Sequence, residues 1–223
     1  MNYQDITLLT VSFNNNILTG MMIKSLYKQL DDELYDIVIV DNGDKIPVDD
    51  NMKCVFTVVD NFNHKIIPDY KQISKNHCSA IDYALKNYIQ TKWCLLVDND
   101  ILYKPSIKDL FAKLDEHEFD CCGEVGFDDA PPNRLFPYFC LLNVEKMNME
   151  NISYFDNNRC IGPGSRIHPP DLWYKDTGCS FLEDIKDTWR IKNINISDYA
   201  LHLKAASVKN VNKWLREHRC MYE

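Results

Sequence analysis

The chain lacks glycine where a phosphate-cradling loop would need it. Its first apolar stretch ends in Ser12-Phe13-Asn14-Asn15-Asn16, without the Gly-rich turn that lets backbone approach a pyrophosphate. No Gly-x4-Gly-Lys-Ser/Thr loop follows elsewhere. A dinucleotide-type fold and a P-loop are thereby excluded, and any bound phosphate needs another means of neutralisation. Basic residues are also scarce: 25 Lys and Arg face 33 Asp and Glu, a formal net charge of −8. That balance argues against nucleic acid or an anionic membrane as the main partner, because both call for a basic surface. No apolar run approaches the roughly 20 residues of a membrane span, and Met1-Asn2-Tyr3-Gln4-Asp5 lacks the basic and apolar regions of a signal peptide. The 9 cysteines form no CxxC pair and no Cys/His zinc pattern. Cys94, Cys140 and Cys179 lie in apolar or mixed runs, as reduced thiols do, so the expected compartment is the cytoplasm. No repeat, low-complexity tract or linker divides the chain, which is expected to form one domain over residues 1–223.

What is present is an alternation of strand and helix signals. Ile6 to Phe13 is apolar and β-rich, and Leu18, Met22, Leu26 and Leu30 then repeat at helical spacing. Tyr35 to Val40 reads as a second buried strand, closed by the turn Asp41-Asn42-Gly43-Asp44, and Lys53 to Val59 as a third. Ser74 suits the cap of a helix whose inward face holds Cys78, Ile81, Leu85 and Tyr88 or Ile89. Trp93 to Val97 is a fourth strand, and a short helix is expected after Pro105-Ser106. The class is therefore α/β with a mostly parallel central sheet flanked by helices.

The second half is less regular. Phe119–Phe127 and Phe136–Val144 read as strands around the loop Asp128 to Asn133, and residues 156–175 as a long loop. Lys175 to Trp189 suits a helix with Phe181, Ile185 and Trp189 inward. Ile194-Asn195-Ile196 suits a short strand, and the tail from Ser207 a helix carrying Val208, Val211 and Leu215 on one face.

Sheets of this class bind ligands at the carboxyl ends of their strands. Three such ends carry polar clusters here: Ser12 to Asn16, Asp41 to Asp44, and Asp98-Asn99-Asp100. In an extended chain Asp98 and Asp100 would share one side and Asn99 take the other. Two carboxylates at a strand mouth repel each other unless a cation or hydrogen-bond donors satisfy them. Oxygen ligands of this kind suit Mg²⁺ or Mn²⁺ carrying a diphosphate.

Four blocks in order resemble nucleotide-sugar glycosyltransferases of the GT-A fold, family 2 in style. Thr7-Leu8-Leu9-Thr10-Val11-Ser12-Phe13-Asn14-Asn15 resembles the opening strand and its turn. Ile37-Val38-Ile39-Val40-Asp41-Asn42-Gly43 resembles the second strand with its aspartate. Asn76-His77-Cys78-Ser79-Ala80-Ile81-Asp82 is similar to the helix start that usually reads Asn-x-Gly-x-Ala-x-Asn, with Cys78 and Asp82 replacing Gly and Asn. Trp93 to Asp100 is similar to the strand carrying the DxD motif.

The resemblance implies transfer of a sugar from a nucleotide-diphosphate donor, a UDP- or GDP-sugar, to a hydroxyl acceptor such as a glycan. It implies metal dependence and inversion by direct displacement, with residues 1–105 as the nucleotide-binding half and 106–223 as the acceptor and catalytic half. Ser12, Asn14, Asp41, Asn76, Ala80, Asp98 and Asn99 would contact the donor. Asp98, Asp100 and His202 would hold Mn²⁺ or Mg²⁺. Asp176 would be the general base, 26 residues before His202, with Glu183 and Asp184 as alternates. In the long loop, Arg159, Arg166 and His168 suit a diphosphate, and Trp173 and Tyr174 an acceptor sugar.

Each residue also has an ordinary structural use. Asp41 suits an Asx turn, and Ser12, Asn14 and Asp176 suit helix caps. Asn76 and Ala80 suit capping and packing, and His202, between two leucines, suits a packed imidazole. A nucleotidyltransferase and a non-catalytic nucleotide-sugar-binding module are the competing functional readings.

Overall fold

The computed structural model describes residues 1–12, 16–30, 36–41, 56–60, 70–126, 134–154 and 177–203, with backbone alone at 16, 56, 60 and 70–76. The expected turn after Asp41, the loops 128–133 and 156–175 and the tail helix from Ser207 lie outside these residues.

Nine strands and five helices are described. β1 (Ile6–Ser12), β2 (Asp36–Asp41), β3 (Phe56–Asp60) and β4 (Trp93–Asp98) run parallel, with helices α1 (Asn16–Leu30) and α2 (Tyr70–Asn87) between them. After β5 (Ile101–Tyr103) and α3 (Ile107–Lys113) come β6 (Cys121–Gly126), β7 (Arg134–Asn143) and α4 (Val144–Glu150). The last elements are α5 (Cys179–Ile185), β8 (Ile191–Asn193) and β9 (Ala200–His202). The main sheet has seven strands in the order β3-β2-β1-β4-β7-β6-β8, and β5 and β9 form a separate pair. In the main sheet β7 alone runs against the rest, pairing antiparallel with both β4 and β6, while β8 pairs parallel with β6.

Alternation along the strands divides the core into two layers. Ile6 and Leu8 of β1 and Trp93, Leu95 and Val97 of β4 point to one face, where Met22, Leu26 and Leu30 of α1 and Leu110 and Phe111 of α3 cover them. Leu9, Val11, Cys94 and Leu96 point to the other, under Ala80, Ile81, Ala84 and Leu85 of α2 and Phe181 and Ile185 of α5. Being buried on both faces is why these strands read as continuous apolar runs.

Several expectations change in detail. Helix α2 already includes Tyr70, so Ser74 lies inside it and not at its cap. Ile89 is the buried residue of the Tyr88/Ile89 pair, and Tyr88 is exposed. Residues Ile194 to Ile196 are not a strand: the strand is β8, just before, and Ile196–Asp198 is a 3-10 turn whose Ser197 N–H is capped by the Asn195 side chain. Helix α4, unforeseen, starts at Asn143, whose side-chain oxygen accepts from the Lys146 N–H at 2.9 Å.

The far edge of the sheet is fastened by Asp120, which is 6% exposed. Its Oδ2 accepts from the Arg190 backbone N–H at 2.9 Å and from Arg190 Nε at 3.1 Å, and its Oδ1 from Nη2 at 2.9 Å. Lys146 Nζ of α4 lies 3.1 Å from the same carboxylate. The Arg190 hydrogen bonds, and then Lys146, hold this carboxyl well below the usual carboxylate range against the cost of its burial. A group depressed in this way contributes stability that is fully present above its unfolded value, about 3.9. That contribution fades as pH falls through the folded value. Denaturant midpoints measured across the acid range should therefore fall more steeply with decreasing pH in the native protein than in Asp120→Asn, which should be less stable at neutral pH.

Candidate functional site

The register of the parallel strands brings the polar strand ends side by side. Ser12 pairs with Asp41, and Val11 with Asp98, so Ser12, Asp41 and Asp98 share the carboxyl edge of the sheet. Asp41 is buried there at 3% exposure.

Residues 99 and 100 form a turn, not a continuation of β4, and the two carboxylates leave it in different environments. Asp98 still obeys the pleat of β4 and faces the α2 side, where His77 Nε2 lies 3.6 Å from its Oδ1; both side chains are about a quarter exposed. Asp100 is almost fully buried. Asn99 turns inward too, and its Nδ2 donates to Thr19 Oγ1 at 3.3 Å. Thr19 in turn donates to Ser12 Oγ at 3.0 Å. A buried polar chain from Asn99 through Thr19 to Ser12 thus ties the acidic turn to α1 and to the end of β1.

The small sheet completes the site. In the β5–β9 pair, Ile101 stands opposite His202, and the Leu203 N–H donates to the Asp100 carbonyl at 2.8 Å. This pairing sets His202 beside the acidic turn although 102 positions separate it from Asp100 in the chain. His202 Nε2 lies 3.2 Å from Asp100 Oδ1. One ligand atom from each of Asp98, Asp100 and His202 falls within 4.8 Å of the others. Burial alone would lower the imidazole's pKa, but the hydrogen bond to Asp100 and the charges of Asp100, Asp98 and Glu124 outweigh it, so the net shift is upward. The donor set fits a divalent cation: two carboxylates and an imidazole converge, and ligands around an octahedral ion at about 2.1 Å are spaced by roughly 3–4 Å.

The family model described as glycosyl transferase family 2 matches residues 7–168. The chain belongs to that family. No curated protein matches the chain in sequence. Among solved structures it is similar to a mannosyltransferase from Pyrobaculum calidifontis in complex with GDP-Man and Mn²⁺, with TM-score 0.54 and 12% identity over 87% of this chain. It spans 55%, about half, of that protein's length. It is also similar to the glycosyltransferase GlyE of Streptococcus pneumoniae, with TM-score 0.49 and 15% identity over 86% of this chain and 45% of that one. A third similar structure is the galactosyltransferase LgtC with donor and acceptor sugar analogues, with TM-score 0.48 and 13% identity over 85% of this chain and 73% of that one. The fold of this family member is GT-A.

The structure brings together Ser12, Asp41, Asp98, Asn99, Asp100 and His202. Ala80 packs into the core beneath the sheet. Glu183 is half-buried and Asp184 exposed on α5, and neither belongs to the Asp98, Asp100 and His202 cluster. Asn14, Asp176, Arg159, Arg166, His168, Trp173, Tyr174 and the side chain of Asn76 lie outside the described residues. Thr177, next after Asp176, is buried, and its Oγ1 accepts from Cys78 Sγ on α2 at 3.1 Å. Gly178 then takes φ +84°, and a Cβ there would stand 2.0 Å from the Leu135 carbonyl oxygen, so only glycine fits.

Two members of the site escaped the sequence reading. His77 sits inside a recognised block, yet its role depends on Asp98 keeping the α2 side. Thr19 looks like any polar residue early in a helix, and only its burial against Asn99 and Ser12 gives it meaning. Thr19→Val keeps the shape but strips both neighbours of their partner. It should cost about 1–3 kcal/mol in urea unfolding and weaken cation binding at the displaced acidic turn; unchanged values in both measurements would remove Thr19 from the site.

Proposed function

We propose that this chain is a metal-dependent glycosyltransferase that passes a sugar from a UDP- or GDP-sugar to a hydroxyl acceptor with inversion. The observation that carries this reading is the convergence of Asp98, Asp100 and His202 at the carboxyl edge of a GT-A sheet. In this reading these three side chains hold Mn²⁺ or Mg²⁺. A bound divalent cation supplies charge neutralisation to the departing nucleoside diphosphate.

The protein's own groups do the rest. Asp41, Ser12 and Asn14 accept the base or ribose beside the acidic turn, Asn76 and Asn99 shape the pocket wall, and Ala80 supports it from the core. Asp176 takes the proton of the acceptor hydroxyl, with Glu183 and Asp184 as alternates. The hydroxyl oxygen then bonds to the anomeric carbon as the bond to the diphosphate oxygen breaks, and a base on the face opposite the leaving group makes this one displacement with inversion. Residues 1–105 act as the donor half and 106–223 as the acceptor half of one domain.

No helix among the described residues is long and apolar enough to cross a membrane. The described cysteines are buried free thiols, which supports assignment to a reducing cytoplasm.

A panel of UDP- and GDP-sugars, assayed for hydrolysis and transfer with Mn²⁺, with Mg²⁺ and with chelator, tests the reading. One donor class should turn over only with metal, and Asp98→Asn or Asp100→Asn should weaken Mn²⁺ binding and lower turnover by about 10- to 100-fold each. A donor that binds but is neither cleaved nor transferred makes the chain a binding module instead, and if no donor is bound or cleaved with either metal the glycosyltransferase reading fails.

A further inference from the structure

A column of stacked groups leads from the main sheet to His202 and has no part in the chemistry above. Arg134, Phe136 and Tyr138 alternate along β7 and therefore share one face of it. The Phe136 and Tyr138 rings stack with centroids 4.8 Å apart and planes 21° from parallel. Tyr138 stacks in the same way on the His202 imidazole, at 4.8 Å and 28°. Arg134 closes the outer end, its Cζ 4.4 Å from the Phe136 centroid.

Neighbouring residues are shaped to this column. A Cβ on Gly126 would lie 2.0 Å from the Phe136 ring, so glycine at the end of β6 makes room for it. The Glu124 carboxylate lies beside Tyr138. Glu124 Oε2 also accepts from the Ile196 N–H at 3.1 Å, in the turn that leads into β9. Glu124 thereby ties β6, beside the column, to the segment that carries His202.

We propose that Tyr138 is a positioning residue: its ring, braced by Phe136, fixes the plane of the His202 imidazole so that Nε2 faces Asp100. The proposal rests on the reading of His202 as a metal ligand. An imidazole turns readily about its last torsion, since such sp³–sp² bonds have broad preferences, and the His202 side chain is 32% exposed. Hydrogen bonding usually sets the orientation of a ligating histidine through the other ring nitrogen. Here a flat aromatic face does so, because stacked rings favour near-parallel planes at this separation. The column also joins the two sheets, so the position of β9 relative to the acidic turn is held by side chains as well as by the three-residue β5 pairing.

The test uses the full chain, free of metal, with Mn²⁺ as the probe and free Mn²⁺ followed by electron paramagnetic resonance. Tyr138→Leu should weaken Mn²⁺ binding about tenfold, and Tyr138→Phe, which keeps the ring, should rescue it. In the metal-free protein the His202 ring protons should resonate upfield of those of the other histidines and move toward random-coil positions in Tyr138→Leu. A folded Tyr138→Leu that binds Mn²⁺ like the native protein overturns the proposal. Should Tyr138→Leu fail to fold, random-coil positions for the His202 ring protons in the native protein overturn it as well. His202→Gln separates the two readings: unchanged Mn²⁺ affinity there rejects His202 as a ligand, whereas a loss there alongside an intact Tyr138→Leu rejects only the positioning role.

Discussion

The buried carboxylate of Asp100 is the constraint on which the site turns. A charged group with 2% of its surface exposed is costly unless it is met by hydrogen bonds or opposite charge. The fold answers with His202, brought to 3.2 Å by a strand from the far end of the described chain. Much of the irregular second half can be understood as the route by which that imidazole is delivered. β7 reverses direction, β6 and β8 extend the sheet past it, and a short turn then feeds β9 back against β5.

The acidic turn is accordingly held from three directions. From below, Asn99, Thr19 and Ser12 form a buried polar chain. From the α2 side, His77 faces the more open Asp98. From the side of the small sheet, the Asp100 carbonyl accepts from Leu203 while the side chain meets His202. Polar groups held this way lose little by becoming ordered when a ligand arrives, which is what preorganisation requires.

Legibility in the sequence followed from how local each signal was. β1, α1, β2 and β4 were readable because their apolar periodicity is complete within a few residues and their ends are polar. Family likeness was readable for the same reason, since its four blocks sit at those strand and helix ends. Asp98, Asp100 and His202 were all singled out, but the geometry between them depends on the β5–β9 pairing, whose strands are too short to show alternation. The turn at Asn99 was misjudged as extended because the competing demand, a hydrogen bond to Thr19 eighty residues earlier, leaves no mark nearby. Helix α4 was missed because Asn143 ends a strand and caps a helix at once.

The delivery of His202 by β9 has a consequence for how the protein is made. The paired acids are joined to β4, whose parallel neighbours precede it in the chain, whereas the imidazole lies 102 positions beyond Asp100. Loop closure over that distance is a late event in folding and a slow one compared with local helix formation. Until that closure the buried carboxylate of Asp100 stands without the imidazole that answers it in the folded protein.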